Sequence, residues 1–245
     1  ETVVMVCAGM FMSAFKGGIY IPLLLLLFMI PKRNFGEKVK YPVVVASAIL
    51  LAVLTFAAVN SNIFKDVSSS TSGSENELMW TESEGFTLRR MFTHPKEALC
   101  MLFNTFFLMG GTHYAEMFAS GFGWLQIYTS GFLTAGFTVL MVLTLLNCEG
   151  REICFNKKQR IISLSAAAVS IFIIVISMWI FWTPAGSAHI VGLQGRYFIP
   201  LLFCAVYPLK NSRCIIKKDI GGGIIFTAVM FHALTFWEIY IRMAV

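Results

Sequence analysis

Along this chain, apolar residues gather into long runs separated by polar and basic loops. Four runs, 41–59, 125–146, 161–182 and 220–240, reach the roughly 20 residues that an α-helix needs to cross a bilayer. Three shorter apolar runs, 2–15, 19–30 and 196–209, complete the set. The last two are bounded by their own residues and are short by construction. The pattern predicts an all-α, polytopic integral membrane helix bundle with seven spanning segments.

The loops set the orientation. Lys32, Arg33, Lys38 and Lys40 follow the second run, Arg151, Lys157, Lys158 and Arg160 precede the fifth, and Lys210, Arg213, Lys217 and Lys218 precede the last. Lys and Arg concentrate on the cytoplasmic side of membrane proteins, so these three loops are expected inside and the long stretch 60–124 outside. Its first part, 60–85, is polar and rich in serine (Ser68, Ser69, Ser70, Ser72, Ser74) and is expected to be a mobile tip with nothing to bury. From 95 to 109 the pattern turns helical, with Pro95 at a first-turn position, Glu97 near the N-terminus, and Gly110 with Gly111 as a stop signal. Its fifteen residues reach only about 22 Å at 1.5 Å each, short of the roughly 30 Å hydrocarbon core. An external interfacial helix that lies along the outer surface or dips into it satisfies both its length and the loop charges.

Composition narrows the class further. Hydrophobic residues make up 57% of the 245 and charged residues 13%, against roughly 25% charged in an average soluble domain. Too little polar surface exists to keep such a chain in water. The net charge of +6 resides in loops that the topology already explains, so nucleic acid is not an expected partner; membrane lipids are. The six cysteines are scattered singly, without CxxC spacing, and read as small apolar side chains. Neither a cofactor nor a metal site is indicated. The chain opens at Glu1 inside an apolar run with no charged leader, which resembles neither a signal peptide nor a natural start. It is expected to be a piece of a longer protein.

Ionisable side chains at membrane depth are costly and prompt a functional hypothesis. Lys16 and Arg196 stand out because each sits beside glycine where an apolar run begins on the outer side. A cation and the free N–H groups of a helix start could there converge on one anion, such as a lipid phosphate, and Gly17, Gly18, Gly192 and Gly195 would let the backbone approach. Snorkelling to the headgroups explains the same placement without a ligand. The two runs also echo each other: Gly18-Ile19-Tyr20-Ile21-Pro22 parallels Gly195-Arg196-Tyr197-Phe198-Ile199-Pro200 with one residue inserted. Other candidates are weaker. His94 precedes Pro95 and could help cap the interfacial helix, while His113 and Glu116 flank its exit. Glu238 and Arg242, four apart, have the spacing of an ordinary ion pair, and His232 is expected to face a neighbouring helix. Trp124 reads as an interfacial anchor or a stacking surface for a sugar.

Taken together, certain motifs resemble a family of uncharacterised bacterial polytopic membrane proteins related to GT-C glycosyltransferases. They are Lys16-Gly17-Gly18-Ile19-Tyr20-Ile21-Pro22, His94-Pro95 with Asn104-Thr105, Gly121-Phe122-Gly123-Trp124-Leu125, and above all Gln194-Gly195-Arg196-Tyr197-Phe198-Ile199-Pro200. The order and intervals match over nearly the whole chain, which resembles the C-terminal half of such a protein. The resemblance implies a GT-C-like enzyme of the bacterial cytoplasmic membrane. Such an enzyme takes a sugar from a polyprenyl-phosphate donor and adds it, on the external face, to a lipid-linked or cell-surface glycan acceptor. By the same resemblance Arg196, Lys16, Gln194 and Tyr197 would bind the donor phosphate, and Trp124 and His94 would contact the acceptor or sugar. This sequence departs from the family at Gly17, where proline commonly follows the lysine. The family's acidic motif, the presumed catalytic carboxylate, has no counterpart here, so the base is expected upstream of Glu1 and the chain alone is expected to be inactive. A non-catalytic transporter or flippase subunit for a lipid-linked saccharide would use the same cations without a base.

Overall fold

The computed structural model describes residues 18–29, 41–59, 85–147, 155–210 and 214–244. The expected span 2–15, Lys16, the basic residues between Lys32 and Lys40, and the Ser-rich stretch up to residue 84 lie outside them. Among the described residues all regular structure is helical; extended pairing is confined to isolated bridges such as Gly85 with Pro184. Two compact units form, one drawn from 1–106 and 161–193, the other from 107–160 and 194–245.

In the first unit a 3-10 helix, Ile21–Met29, packs on α1, Tyr41–Val59. Gly18 sits at this contact with φ +75°, and a Cβ there would come within 2.6 Å of the Phe56 ring. Both the backbone conformation and the space therefore demand glycine. Next come α2, Leu88–Thr93, and α3, Pro95–Phe103, the latter prolonged by a π-helical turn, Asn104–Leu108. Thr87 caps α2 by accepting the N–H of Arg90 at 3.2 Å. Pro95 opens α3, where its missing N–H has no helical partner to lose, and Glu97 in the first turn suits the helix dipole. Glu97 also reaches back to Arg90 at 3.2 Å. After Leu108 the chain bends at Met109 and a new helix starts at Gly110. Gly110 and Gly111 thus begin an element as well as follow one, and a Cβ at either would meet open space.

The first unit takes in α7, Lys157–Trp182, from Ile161 onward, and Trp179 of that helix is buried against Phe86 with ring centroids 5.8 Å apart. Two buried threonines tie down the segment that follows. Thr105 donates to the Met101 carbonyl at 2.7 Å and accepts the N–H of Ile190 at 2.9 Å. Thr183 donates to Met178 and accepts the N–H of Val191, both at 3.1 Å. These hydroxyls satisfy backbone donors that burial would otherwise leave unpaired.

The second unit contains α4, Gly110–Phe118, α5, Phe122–Leu125, and α6, Gly131–Leu146. A 3-10 turn, Gly195–Phe198, leads into α8, Ile199–Val206, which ends in a second such turn, Tyr207–Leu209; the unit closes with α9, Gly221–Ala244. The apolar run expected to be helical from residue 125 begins its helix only at Gly131. Leu125 has φ 61°, and the Phe122 N–H and Ile127 carbonyl close a tight turn at 3.0 Å, so the chain reverses before α6 can start. Helices α6 and α9 pack antiparallel. His232 of α9 meets Phe137 of α6 edge-on at 4.9 Å. Glu238, expected to pair with Arg242, instead turns both carboxylate oxygens to Ser130.

Among the described residues two helices, Lys157–Trp182 and Gly221–Ala244, are long and apolar enough to cross a membrane. On α9 the side chains of Ile225, Phe226, Val229, Phe236 and Trp237 are exposed. An apolar surface of that extent is a liability in water and suits contact with lipid. Residues 42–58, α6 and the run Gly195–Leu209 are apolar but shorter.

Candidate functional site

The site forms where the chain enters the apolar run Gly195–Leu209. Gln194 is extended (φ −130°, ψ 137°), and its carbonyl accepts the N–H of Tyr197 at 3.0 Å, closing the first 3-10 turn. Ile199 and Pro200 then convert that turn into α8, with proline again at the start of the helix, where it needs no donor. The turn buries Gly195 and Phe198, half-buries Tyr197 and leaves Arg196 exposed. Gln194 Oε1 accepts the Nε–H of Arg196 at 2.5 Å. That bond engages the Nε of the planar guanidinium, and the two terminal nitrogens are the pair with which an arginine can bind an oxyanion through two parallel bonds. Among the described residues no carboxylate pairs with Arg196.

Behind Arg196, the backbone of the same turn rests on α4. Glu116 of α4 is buried, with 4% of its side chain exposed, and its Oε2 accepts the N–H of Gly195 at 2.5 Å. His113, one turn earlier, brings Nδ1 to within 3.4 Å of the same oxygen, while its Nε2 is buried without a hydrogen-bond partner. The fit is close enough that a Cβ on Gly195 would overlap the His113 carbonyl oxygen and approach Glu116 Cβ to 2.7 Å. On its other side Glu116 is confined by Gly121, whose φ is +71° and whose Cβ, if present, would lie 2.8 Å from Glu116 Cγ. Two glycines thus make room for one buried carboxyl group, which satisfies the Gly195 N–H at the start of the turn.

The expected site residues fall in different places. Gln194, Arg196 and Tyr197 share one turn of the second unit. The backbone of Trp124 belongs to α5 of that unit. His94 belongs to the first unit, exposed between α2 and α3. It occupies the N-cap position of α3, but its side chain makes no capping bond; Nδ1 faces Thr93 Oγ1 at 2.9 Å instead. The adjacent Pro95 lines an apolar groove of about 660 Å³ together with Leu99, Phe106, Phe172 and Trp179. Lys16 lies outside the described residues. Glu116 is the participant whose part was not legible in the sequence, where it appeared only as a flank of the preceding helix. The His113/Glu116 spacing marks one face of α4, but nothing local to that stretch points to Gly195, 79 residues away.

Residues 1–205 match the family described as Predicted membrane protein (DUF2142). Neither the curated proteins nor the solved structures contain a match to this chain.

Proposed function

We propose that this chain, which belongs to the DUF2142 family of predicted membrane proteins, is part of a GT-C-like integral-membrane glycosyltransferase that uses a polyprenyl-phosphate-linked sugar. The acceptor is a lipid-linked or cell-surface glycan on the outer face of the bacterial cytoplasmic membrane. The observation that carries this reading is Arg196: an exposed guanidinium, held along one edge by Gln194, at the mouth of an apolar run in a membrane protein. A polyprenyl phosphate leaves as a dianion. A cation held on it stabilises charge that grows in the transition state, and a guanidinium does so through two parallel bonds. Tyr197 on the same turn is assigned to the same phosphate.

The test is turnover of a radiolabelled polyprenyl-phosphate sugar by the full-length protein in proteoliposomes, compared at equal abundance. Arg196→Ala is expected to lower turnover roughly ten- to a hundredfold, the equivalent of about 1.5 to 3 kcal/mol for a lost charge-assisted contact. Arg196→Lys should not restore it, because lysine keeps the charge but not the planar fork. Wild-type turnover in Arg196→Ala would overturn the assignment. Donor binding by the wild-type protein with transport but no transfer would point to a transporter or flippase subunit.

A further inference from the structure

We propose that Glu116 is the positioning residue of this site. Its buried carboxylate occupies the Gly195 N–H at the helix entrance, so that a ligand phosphate is received by the Gln194 and Arg196 side chains rather than by that amide. The inference rests on the phosphate reading given above. The Gly195 N–H is the first donor of the run Gly195–Leu209, the kind of group that ordinarily helps a helix start to hold a bound anion. Here it is already engaged, at 2.5 Å, by a carboxylate with 4% of its side chain exposed. An incoming phosphate would have to displace a buried, closely packed carboxyl group to reach it.

Gly195 is also the residue between the two members of the fork. Holding its amide against α4 fixes the Gln194–Gly195 peptide plane, and the close approach of Gly195 to the His113 carbonyl and Glu116 Cβ confines the residue itself; together these set the directions in which Gln194 and Arg196 leave the backbone. The 2.5 Å bond between their side chains then completes the arrangement. Glu116 has no freedom to wander: Gly121 bounds it on one side and Gly195 on the other, at separations where no Cβ would fit. His113 Nδ1, 3.4 Å from the same oxygen, is the polar side chain seen facing it among the described residues. The role is therefore distinct from that of Arg196: Glu116 touches no ligand and acts through the backbone of Gly195.

The experiment measures binding of farnesyl phosphate, with farnesol as the uncharged control, to the full-length protein in nanodiscs. The variants are Glu116→Ala, Glu116→Gln, Glu116→Asp, Arg196→Ala and the Glu116→Ala/Arg196→Ala double. Glu116→Ala should weaken farnesyl phosphate binding roughly tenfold and leave farnesol binding unchanged. Glu116→Gln keeps an acceptor oxygen for the Gly195 N–H and should recover most of the affinity. In the Arg196→Ala background, Glu116→Ala should add nothing, because residues acting through one contact are not additive. If Glu116→Ala fails to fold, Glu116→Asp carries the test: it keeps the charge but draws the carboxylate back by one methylene, and the same selective loss is expected. A purely structural role would weaken farnesol binding as well and would add to Arg196→Ala; either result overturns the proposal. So does unchanged farnesyl phosphate binding in Glu116→Ala and Glu116→Asp alongside a loss in Arg196→Ala, an outcome that leaves the phosphate reading standing. Unchanged binding in Arg196→Ala overturns the phosphate reading itself, and this inference with it.

Discussion

Glu238, near the end of α9, binds Ser130 twice: one carboxylate oxygen accepts the Ser130 N–H at 2.7 Å and the other accepts its hydroxyl at 2.6 Å. Ser130 is the N-cap of α6, and its own side chain makes no capping bond within that helix. A carboxylate 108 residues away therefore serves the helix start, satisfying one of its unpaired donors and countering the positive end of its dipole.

Removing that carboxylate should loosen one end of the α6–α9 pair. Glu238→Ala abandons both bonds and is expected to cost about 2 to 3 kcal/mol, whereas Ser130→Ala, which keeps the backbone bond, should cost about 1 kcal/mol. Thermal unfolding of the detergent-solubilised protein, followed by α-helical circular dichroism, gives the ranking. Equal losses in the two variants would show that the backbone bond contributes nothing.

Midway along the same pair, Gly136 lies under the ring of Phe231. A Cβ at 136 would overlap the edge of that ring, with Cζ 2.6 Å away, and Phe231 is further held edge-on by Phe132 and Phe137, both at 5.7 Å. Because the ring is gripped on several sides, it cannot swing aside cheaply. Gly136→Ala should therefore destabilise by about 1 to 3 kcal/mol, despite alanine's better helix propensity. Trimming the ring should relieve the clash, so Gly136→Ala/Phe231→Leu is expected to be less destabilised than the sum of the two single changes. Strict additivity in the unfolding data would refute the contact.

What could be read along the chain was what depends on neighbours in sequence. The run 41–59 became one helix with those bounds, the helical start at Pro95 followed from proline and Glu97, and the Gln194 to Pro200 motif marked the turn that presents Arg196. What could not be read depended on distant residues. Glu238 was matched to Arg242 on spacing alone, because the competing donor, Ser130, lies on another helix. Glu116 drew no connection to Gly195 for the same reason. The late start of α6 turns on Leu125 adopting φ 61°, which a bulky apolar residue in an apolar run gives no sign of doing.

The glycines of the candidate site and of α9 should behave in opposite ways. Gly195→Ala drives a methyl into the His113 carbonyl and Glu116 Cβ, where backbone on one side prevents accommodation. It is expected to lower stability by about 1 to 3 kcal/mol and to release the Glu116 contact. Gly222 and Gly223 have open space around their Cα atoms, and alanine at either should be neutral or stabilise by up to about 1 kcal/mol. Melting temperatures of the three variants decide the matter, and a tolerated Gly195→Ala would contradict the packing of α4 against the 195–198 turn.

At the opposite end of the α6–α9 pair, Asn147 closes α6 and meets the start of α9. Its Nδ2 donates to Asp219 Oδ1 at 3.3 Å, and its Oδ1 accepts the Ile220 N–H at 3.2 Å; the same Asp219 oxygen accepts the Gly221 N–H at 2.8 Å. The amide is needed because it faces a donor and an acceptor at once, and Asn147 is buried to 5% exposure. Asn147→Ala should leave both partners short of a bond and cost about 1 to 3 kcal/mol with little dependence on pH. Asn147→Asp is the sharper probe. It keeps an acceptor for Ile220 but sets a second carboxylate against Asp219, and two ionised carboxylates at that separation repel. Taking up a proton removes the repulsion and restores a donor, so the folded variant binds a proton more readily than the unfolded chain does. By linkage its stability deficit must be full at neutral pH and shrink as the pH falls through the carboxylate range. Denaturant titrations of the wild type, Asn147→Ala and Asn147→Asp at neutral pH and at roughly pH 4 would show the deficit narrowing for Asn147→Asp alone. A deficit for Asn147→Asp that is the same at both pH values would mean that residues 147 and 219 do not meet.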